Sequence, residues 1–192
     1  MKSFYLTDVG KVRSHNEDSI VIVKNKNDEY LMAVADGMGG HSAGEVASSL
    51  AIDYLVNSFN DNFNGLDKVK AVNWIREKAV RINDLIFDYV DKHPESKGMG
   101  TTLVIAIITK SYILFGNIGD SSGFVVKDGK LHKVTYDHTL VNLLMRAGEL
   151  TEEEAKEAYQ RLVARLKADG VYEEDEEEND SKEADDHKAD TK

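Results

Sequence analysis

The sequence predicts an α+β fold in layers with antiparallel sheets, and three observations carry that expectation. Short β-branched or alternating apolar runs cluster before residue 36 and again after residue 100. Two long stretches of helical periodicity lie between them, over 45–59 and 67–91. The joints between neighbouring apolar runs are short and polar, as hairpins require, whereas parallel crossover units would alternate strand and helix more regularly.

Taken in order, residues 3–8 (SFYLTD) read as a first strand with Phe4 and Leu6 on one face, turned by Gly10. A polar loop over 11–18 (KVRSHNED) follows, then the β-branched run 19–24 (SIVIVK). Residues 25–29 (NKNDE) look like a hairpin turn into the apolar run 30–35, so these two strands are expected to pair antiparallel. That pairing brings Glu17 or Asp18, at the start of one strand, beside Asp36 at the end of the other.

Asp36 is followed at once by Gly37, Met38, Gly39, Gly40 and His41. Glycines there let the backbone approach a ligand without side-chain interference, and a carboxylate at a strand end suits a hard cation. The same stretch is equally readable as a tight turn whose acid caps the backbone.

Helical spacing at Val46, Leu50, Tyr54 and Leu55 marks the first helix. Val69, Val72, Ile75, Ala79, Ile82, Leu85, Ile86 and Tyr89 form the stripe of the second, with Trp74 in the core and Pro94 just past the end. His93 reads as a surface residue complementing the helix dipole. Strands follow over 101–109 and 112–118, the second delivering Asp120 beside Gly119, and then a hairpin over 123–134 turned at Asp128-Gly129. His138 reads as structural, a helix covers 140–147, and Thr151 with Glu154 makes a capping box for a last helix to about Ala168.

The chain has 192 residues, 41% of them hydrophobic, which suits one domain with its own core plus some excess. No apolar run approaches the roughly 20 residues of a membrane span, and no signal pattern opens the chain, so a cytoplasmic protein is expected. Cysteine is absent, which excludes disulfides, thiolate nucleophiles and thiolate zinc sites. A net charge of -11 disfavours nucleic acid as a partner. Much of that charge lies in 173–190, a run too poor in apolar residues to order itself.

Glu17, Asp18, Asp36 and Asp120 thus all sit at strand ends or adjoining loops, with Arg13 nearby in sequence. Clustered carboxylates repel one another unless cations neutralise them, so a divalent metal site is one account and dispersed surface acids the other. Metals with an arginine suit attack on a phosphate, because the guanidinium grips phosphate oxygens bidentately.

The succession RSHNED (13–18), DGMGGH (36–41), GTT (100–102), IGDSS (118–122) and DHTLVNLLMRAGELT (137–151) resembles the metal-dependent protein phosphatases of type 2C, in particular small bacterial serine/threonine phosphatases. The resemblance covers about residues 1–156. It implies an αββα sandwich, two antiparallel sheets covered by helices, incomplete at the carboxy-terminal end. It also implies hydrolysis of phosphoserine and phosphothreonine by metal-activated water, with a pair of Mn²⁺ or Mg²⁺ ions and a third, weaker site. The substrates would be phosphoproteins, targets of a cognate Ser/Thr kinase. By resemblance Asp36, the Gly37 carbonyl and Glu17 hold the metal pair, and Asp120 the third metal. Arg13 takes the substrate phosphate, Asp18 stands behind the ligands, and His41 assists proton transfer.

Two departures qualify the activity. Ser122 stands where members usually carry arginine. Beyond 156 the chain runs through a helix (157–170) that is not the family's and an acidic tail (171–192), without the strands bearing two further ligand aspartates. Neither Asp169-Gly170 nor Asn179-Asp180 sits in a strand pattern that would replace them. The expectation is therefore a truncated phosphatase whose activity is weakened or lost, with a non-catalytic metal- and phosphoprotein-binding regulatory module as the alternative.

Overall fold

The structure, a computed structural model, describes residues 1–40 and 43–168. The chain divides into two compact units, Met1–Thr139 and a second from Leu140 on.

In the first unit, β1 (Asp18–Lys24) and β2 (Tyr30–Met38) form an antiparallel hairpin. Its turn is built by Asn25, whose Oδ1 accepts from the N–H groups of Asn27 (2.9 Å) and Glu29 (3.1 Å), the local side-chain bonding that makes asparagine a turn residue. Two helices follow, α1 (Ala43–Asn62) and α2 (Lys68–Lys92), the latter capped by the Asp67 carboxylate accepting from Lys70 N at 2.9 Å. Then come β3 (Gly100–Thr101), β4 (Leu103–Ile108) and β5 (Ile113–Ile118). These strands make one five-stranded sheet in the order β1-β2-β4-β5, with β3 pairing the end of β2. A separate hairpin of β6 (Phe124–Lys127) and β7 (Lys130–Lys133) turns at Asp128-Gly129. The α+β reading with antiparallel sheets therefore holds.

Strand alternation sorts the sheet into two faces. Leu31, Ala33, Ala35, Leu103, Ile105 and Ile107 point to the helices and are buried. Above them Phe59 and Phe63 stack at 5.1 Å, and Trp74 meets both edge-on at 6.4 and 5.2 Å. A smaller cluster of Ala43, Ala47 and Met99 packs the helices against the glycine-rich end of β2. The opposite face, with Ile20, Met32, Val34, Val104 and Phe115, lines an open concavity of about 570 Å³ with Phe4, Tyr5 and Leu6 and the start of β6.

Three expectations are corrected. Residues 3–8 form no strand, and Phe4 and Leu6 are 85% and 75% exposed, because no strand among the described residues lies alongside to take their backbone hydrogen bonds. The buried face of α1 is mainly small, with Ala43, Gly44, Ala47, Ser48 and Ala51 leading to Ile52, Leu55 and Phe59. Val46, Leu50 and Tyr54 are only partly buried, since small side chains let the helix lie close on the sheet. On α2 the buried row is Ala71, Trp74, Lys78 and Ile82, while Val69 is exposed.

His93 caps α2, its N–H donating to Tyr89 O (2.9 Å) and Val90 O (3.1 Å) and its ring stacking on Tyr89. The second unit holds α3 (Leu140–Ala147) and α4 (Glu152–Ala168). The predicted capping box is present: Thr151 Oγ1 accepts from Glu154 N at 3.2 Å, and the Glu154 carboxylate accepts from Thr151 N at 2.8 Å. Among the described residues no helix is long and apolar enough to cross a membrane. The predicted tail, with Asp169-Gly170 and Asn179-Asp180, lies outside the described residues.

Candidate metal and phosphate site

The register of the first hairpin builds the site, pairing Asp18 directly with Asp36 across β1 and β2. Alternation turns Asp36 away from the helices, while Gly37 faces them and is buried. Asp120 follows Gly119 at the end of β5, where a φ of 95° suits glycine.

These carboxylates feel one another. Partial loss of water raises the Asp36 pKa above its ordinary value of 3.8, and the charges of Asp18 and Asp120 raise it further, while Arg13 opposes them. Among the described residues the Asp36 carboxylate accepts no hydrogen bond, and the Arg13 guanidinium is a cation that opposes the shift.

Glu17 is held from three sides. Its carboxylate meets the Arg13 guanidinium at 3.4 Å, and its carbonyl accepts from Gly37 N (3.1 Å) and from Ser48 Oγ (2.7 Å). The loop before it is shaped by Asn16, whose Oδ1 accepts from Asp18 N at 3.1 Å and whose amide donates to Thr7 Oγ1 at 2.6 Å.

Two glycines make this packing possible. A Cβ on Gly37 would lie 2.0 Å from Gly44 O and 2.6 Å from Glu17 O. A Cβ on Gly44 would lie 2.8 Å from Glu17 Oε1, so the carboxylate rests against the first turn of α1, where the helix dipole favours it.

The main chain of Asp36 is fixed from the other side. Thr102 N donates to Asp36 O at 2.8 Å, Asp36 N donates to Thr102 Oγ1 at 3.0 Å, and Thr101 Oγ1 donates toward Asp36 O at 3.1 Å. His138 is structural, as expected, exchanging bonds with Gly119: its N–H donates to Gly119 O (2.9 Å) and its Nδ1 accepts from Gly119 N (3.3 Å). Ser122 donates to Asp137 Oδ1 at 3.1 Å, and Lys133 holds the other oxygen at 2.7 Å, so Asp137 titrates below its usual range.

The predicted residues Arg13, Glu17, Asp18, Asp36, Gly37 and Asp120 thus share one end of the first unit. His41 lies outside the described residues. Oxygen-only donors and the repulsion at Asp36, which Arg13 offsets only in part, fit a hard divalent cation. The fit is partial in number: no group of three or more His, Cys, Asp or Glu among the described residues is arranged to hold a metal. Sequence reasoning missed Ser48, Gly44 and the placing role of Thr101 and Thr102. The GTT motif was visible, yet nothing local tied it to Asp36.

The fold is one of helices on an antiparallel sheet, with strand-end acids and an arginine gathered at one end. The sequence model of protein phosphatase 2C matches residues 10–168, and the chain belongs to that family. It is 39% identical over 155 residues to the serine/threonine phosphatase Stp of Listeria welshimeri, covering 81% of this chain and 62% of that protein. It is 34% identical over 166 residues to the protein phosphatase PhpP of Streptococcus pneumoniae, covering 85% and 65%.

Solved structures agree with the fold. The serine/threonine phosphatase of S. agalactiae gives a TM-score of 0.71 at 38% identity, covering 79% of this chain and 62% of that one. Stp1 of Staphylococcus aureus gives 0.70 at 39%, covering 78% and 59%. The catalytic domain of PstP, solved with two manganese ions, gives 0.63 at 38%, covering 76% and 60%. The chain therefore spans under two thirds of the length of each of these relatives.

Proposed function

We propose that this chain is a metal-dependent protein serine/threonine phosphatase. The observation that carries the reading is the convergence of Asp18 and Asp120 on Asp36, opposed by Arg13. Asp36, Glu17 and the Gly37 carbonyl are the candidates to hold a pair of Mn²⁺ or Mg²⁺ ions, with Asp120 holding a third. When bound, the pair supplies a water nucleophile at neutral pH and neutralises charge on the phosphate.

This chain's own residues do the rest. Arg13, 70% exposed at its side chain, is free to swing from Glu17 and take two phosphate oxygens through parallel N–H donors. Asp18, opposite Asp36 across the hairpin, adds negative charge behind the ligands and so strengthens their attraction for a cation. Attack of water on phosphorus breaks the bond to the serine or threonine oxygen, releasing inorganic phosphate, and His41 is the candidate to protonate the departing oxygen. The reading includes the phosphoprotein products of a Ser/Thr kinase as substrates and a cytoplasmic setting.

The test is release of inorganic phosphate from a phosphothreonine peptide with Mn²⁺, lost in Asp36→Ala. Absence of release at every Mn²⁺ concentration sinks the catalytic reading.

A second reading is a module that binds metal and phosphoprotein without turnover. It predicts stabilisation by Mn²⁺, about 2.7 kcal/mol at a hundredfold excess over Kd, without phosphate release. An unchanged melting temperature would remove it.

A further inference from the structure

We propose that Thr102 is a positioning residue that sets the spacing between the Asp36 and Asp120 carboxylates. This rests on the metal reading above and deepens it. The register on either side, Val34 opposite Val104 and Gly37 opposite Thr101, places Asp36 opposite Thr102. An antiparallel pair of this kind exchanges two main-chain bonds. Here only one is made, from Thr102 N to Asp36 O at 2.8 Å. The return bond from Asp36 N goes to the Thr102 hydroxyl at 3.0 Å instead of the carbonyl. Thr101 Oγ1 lies 2.9 Å from the Thr102 carbonyl thus released, and its single proton serves that oxygen or Asp36 O.

The substitution frees the hydroxyl to reach a second strand end. Thr102 Oγ1 shares a proton with Ser121 Oγ at 2.7 Å. The methyl packs on Gly119, where a Cβ would fall 2.7 Å from Thr102 Cγ2. Both chain neighbours of Asp120 therefore rest on the one side chain that also holds the Asp36 amide. A main-chain carbonyl in place of the hydroxyl would hold Asp36 equally well and leave Asp120 unlinked.

Hydroxyl and methyl are separable by substitution. Thr102→Val keeps the methyl and removes the relay, Thr102→Ser does the reverse, and Ser121→Ala breaks only the distal bond. Two readouts decide: hydrogen exchange at the Asp36 amide in metal-free protein, and Mn²⁺ affinity by calorimetry. We expect Thr102→Val to speed Asp36 exchange and weaken Mn²⁺ binding about tenfold or more, in the range for residues that orient metal ligands. Thr102→Ser should retain the slow exchange and most of the affinity, and Ser121→Ala should lose affinity while keeping Asp36 exchange slow.

Unaltered Mn²⁺ affinity in Thr102→Val, or equal loss in Thr102→Ser, overturns the proposal. If Thr102→Val does not fold, Ser121→Ala with normal affinity does so. No Mn²⁺ binding by the unaltered chain overturns the metal reading and the role built on it, and slow Asp36 exchange then shows that the hydrogen bonds survive without that role.

Discussion

Gly37→Ala tests the packing on which the site depends. The glycine φ here is not in the left-handed region, so alanine meets no intrinsic backbone strain and the effect is steric. The added methyl would sit 2.0 Å from Gly44 O and 2.6 Å from Glu17 O, both main-chain atoms that cannot rotate away. Relief requires α1 and the Glu17 loop each to retreat by about an ångström, and overpacking of this kind costs about 1–3 kcal/mol. Retreat also stretches the Gly37 N to Glu17 O bond, now 3.1 Å, adding about 1 kcal/mol. A loss of about 3 kcal/mol is therefore expected, a large part of the roughly 5–15 kcal/mol of a typical domain. Urea denaturation reads it: with a slope near 2 kcal/mol/M the midpoint falls by about 1.5 M. Gly40→Ala is the control, since among the described residues no atom outside its chain neighbours lies within 4 Å of its Cβ position and the midpoint should hold. A Gly37→Ala midpoint within error of the unaltered protein would refute the close approach of α1 to β2.

Gly44→Ala should destabilise the fold, although alanine for glycine inside a helix ordinarily gains about 1 kcal/mol, because its Cβ would press on Glu17 Oε1 and Gly37 C at 2.8 Å; a raised urea midpoint would contradict this. Ser48→Ala should cost about 1–2 kcal/mol by the same assay, as the fully buried hydroxyl donates to Glu17 O at 2.7 Å and contacts Ser19 Oγ at 3.0 Å. Backbone bonding to Thr151 lowers the Glu154 pKa below its ordinary 4.5. The stabilisation of α4 is thus complete above that value and lost as pH falls through the lower folded one, so helical circular dichroism should drop there, and Glu154→Gln, which has no carboxyl to titrate, should diminish the drop. Asp36→Asn takes one charge from a crowded set and should raise the metal-free melting temperature at pH 7 while abolishing the gain with Mn²⁺; a lower metal-free value would mean the carboxylates do not repel.

How much of this was legible follows from what each signal depends on. The hairpin of β1 and β2 was readable because its polar turn and flanking alternation are local, and the pairing of Asp18 with Asp36 came with it. The capping box at Thr151 was readable for the same reason. Residues 3–8 alternate like a strand, yet alternation says which face a strand would present, not whether a neighbour exists to pair with it. On α1 the predicted Leu55 is buried, but Val46 and Leu50 pack beside a row of small residues that carries little hydrophobic signal, because closeness to a sheet selects small side chains.

The chemistry and its placement were unequally visible for a related reason. Acids and an arginine announce themselves by type, so Asp36, Asp120, Glu17 and Arg13 could be gathered before any geometry was known. The groups that place them are a buried serine, two glycines whose backbones touch, and a threonine opposite Asp36 in register. Each is ordinary alone and acquires meaning only through contacts across long stretches of chain, as Ser48 does with Glu17 and Thr102 with Asp36. Such contacts are main-chain bonds or steric fits that do not depend on charge, and that independence has a consequence for the acids. Repulsion around Asp36 would push its strand end from those of Asp18 and Asp120 if side chains alone decided the spacing. Bonds to the Asp36 amide and carbonyl, and a glycine too closely packed to move, resist that push without neutralising it. The charge is thereby left for a cation to satisfy.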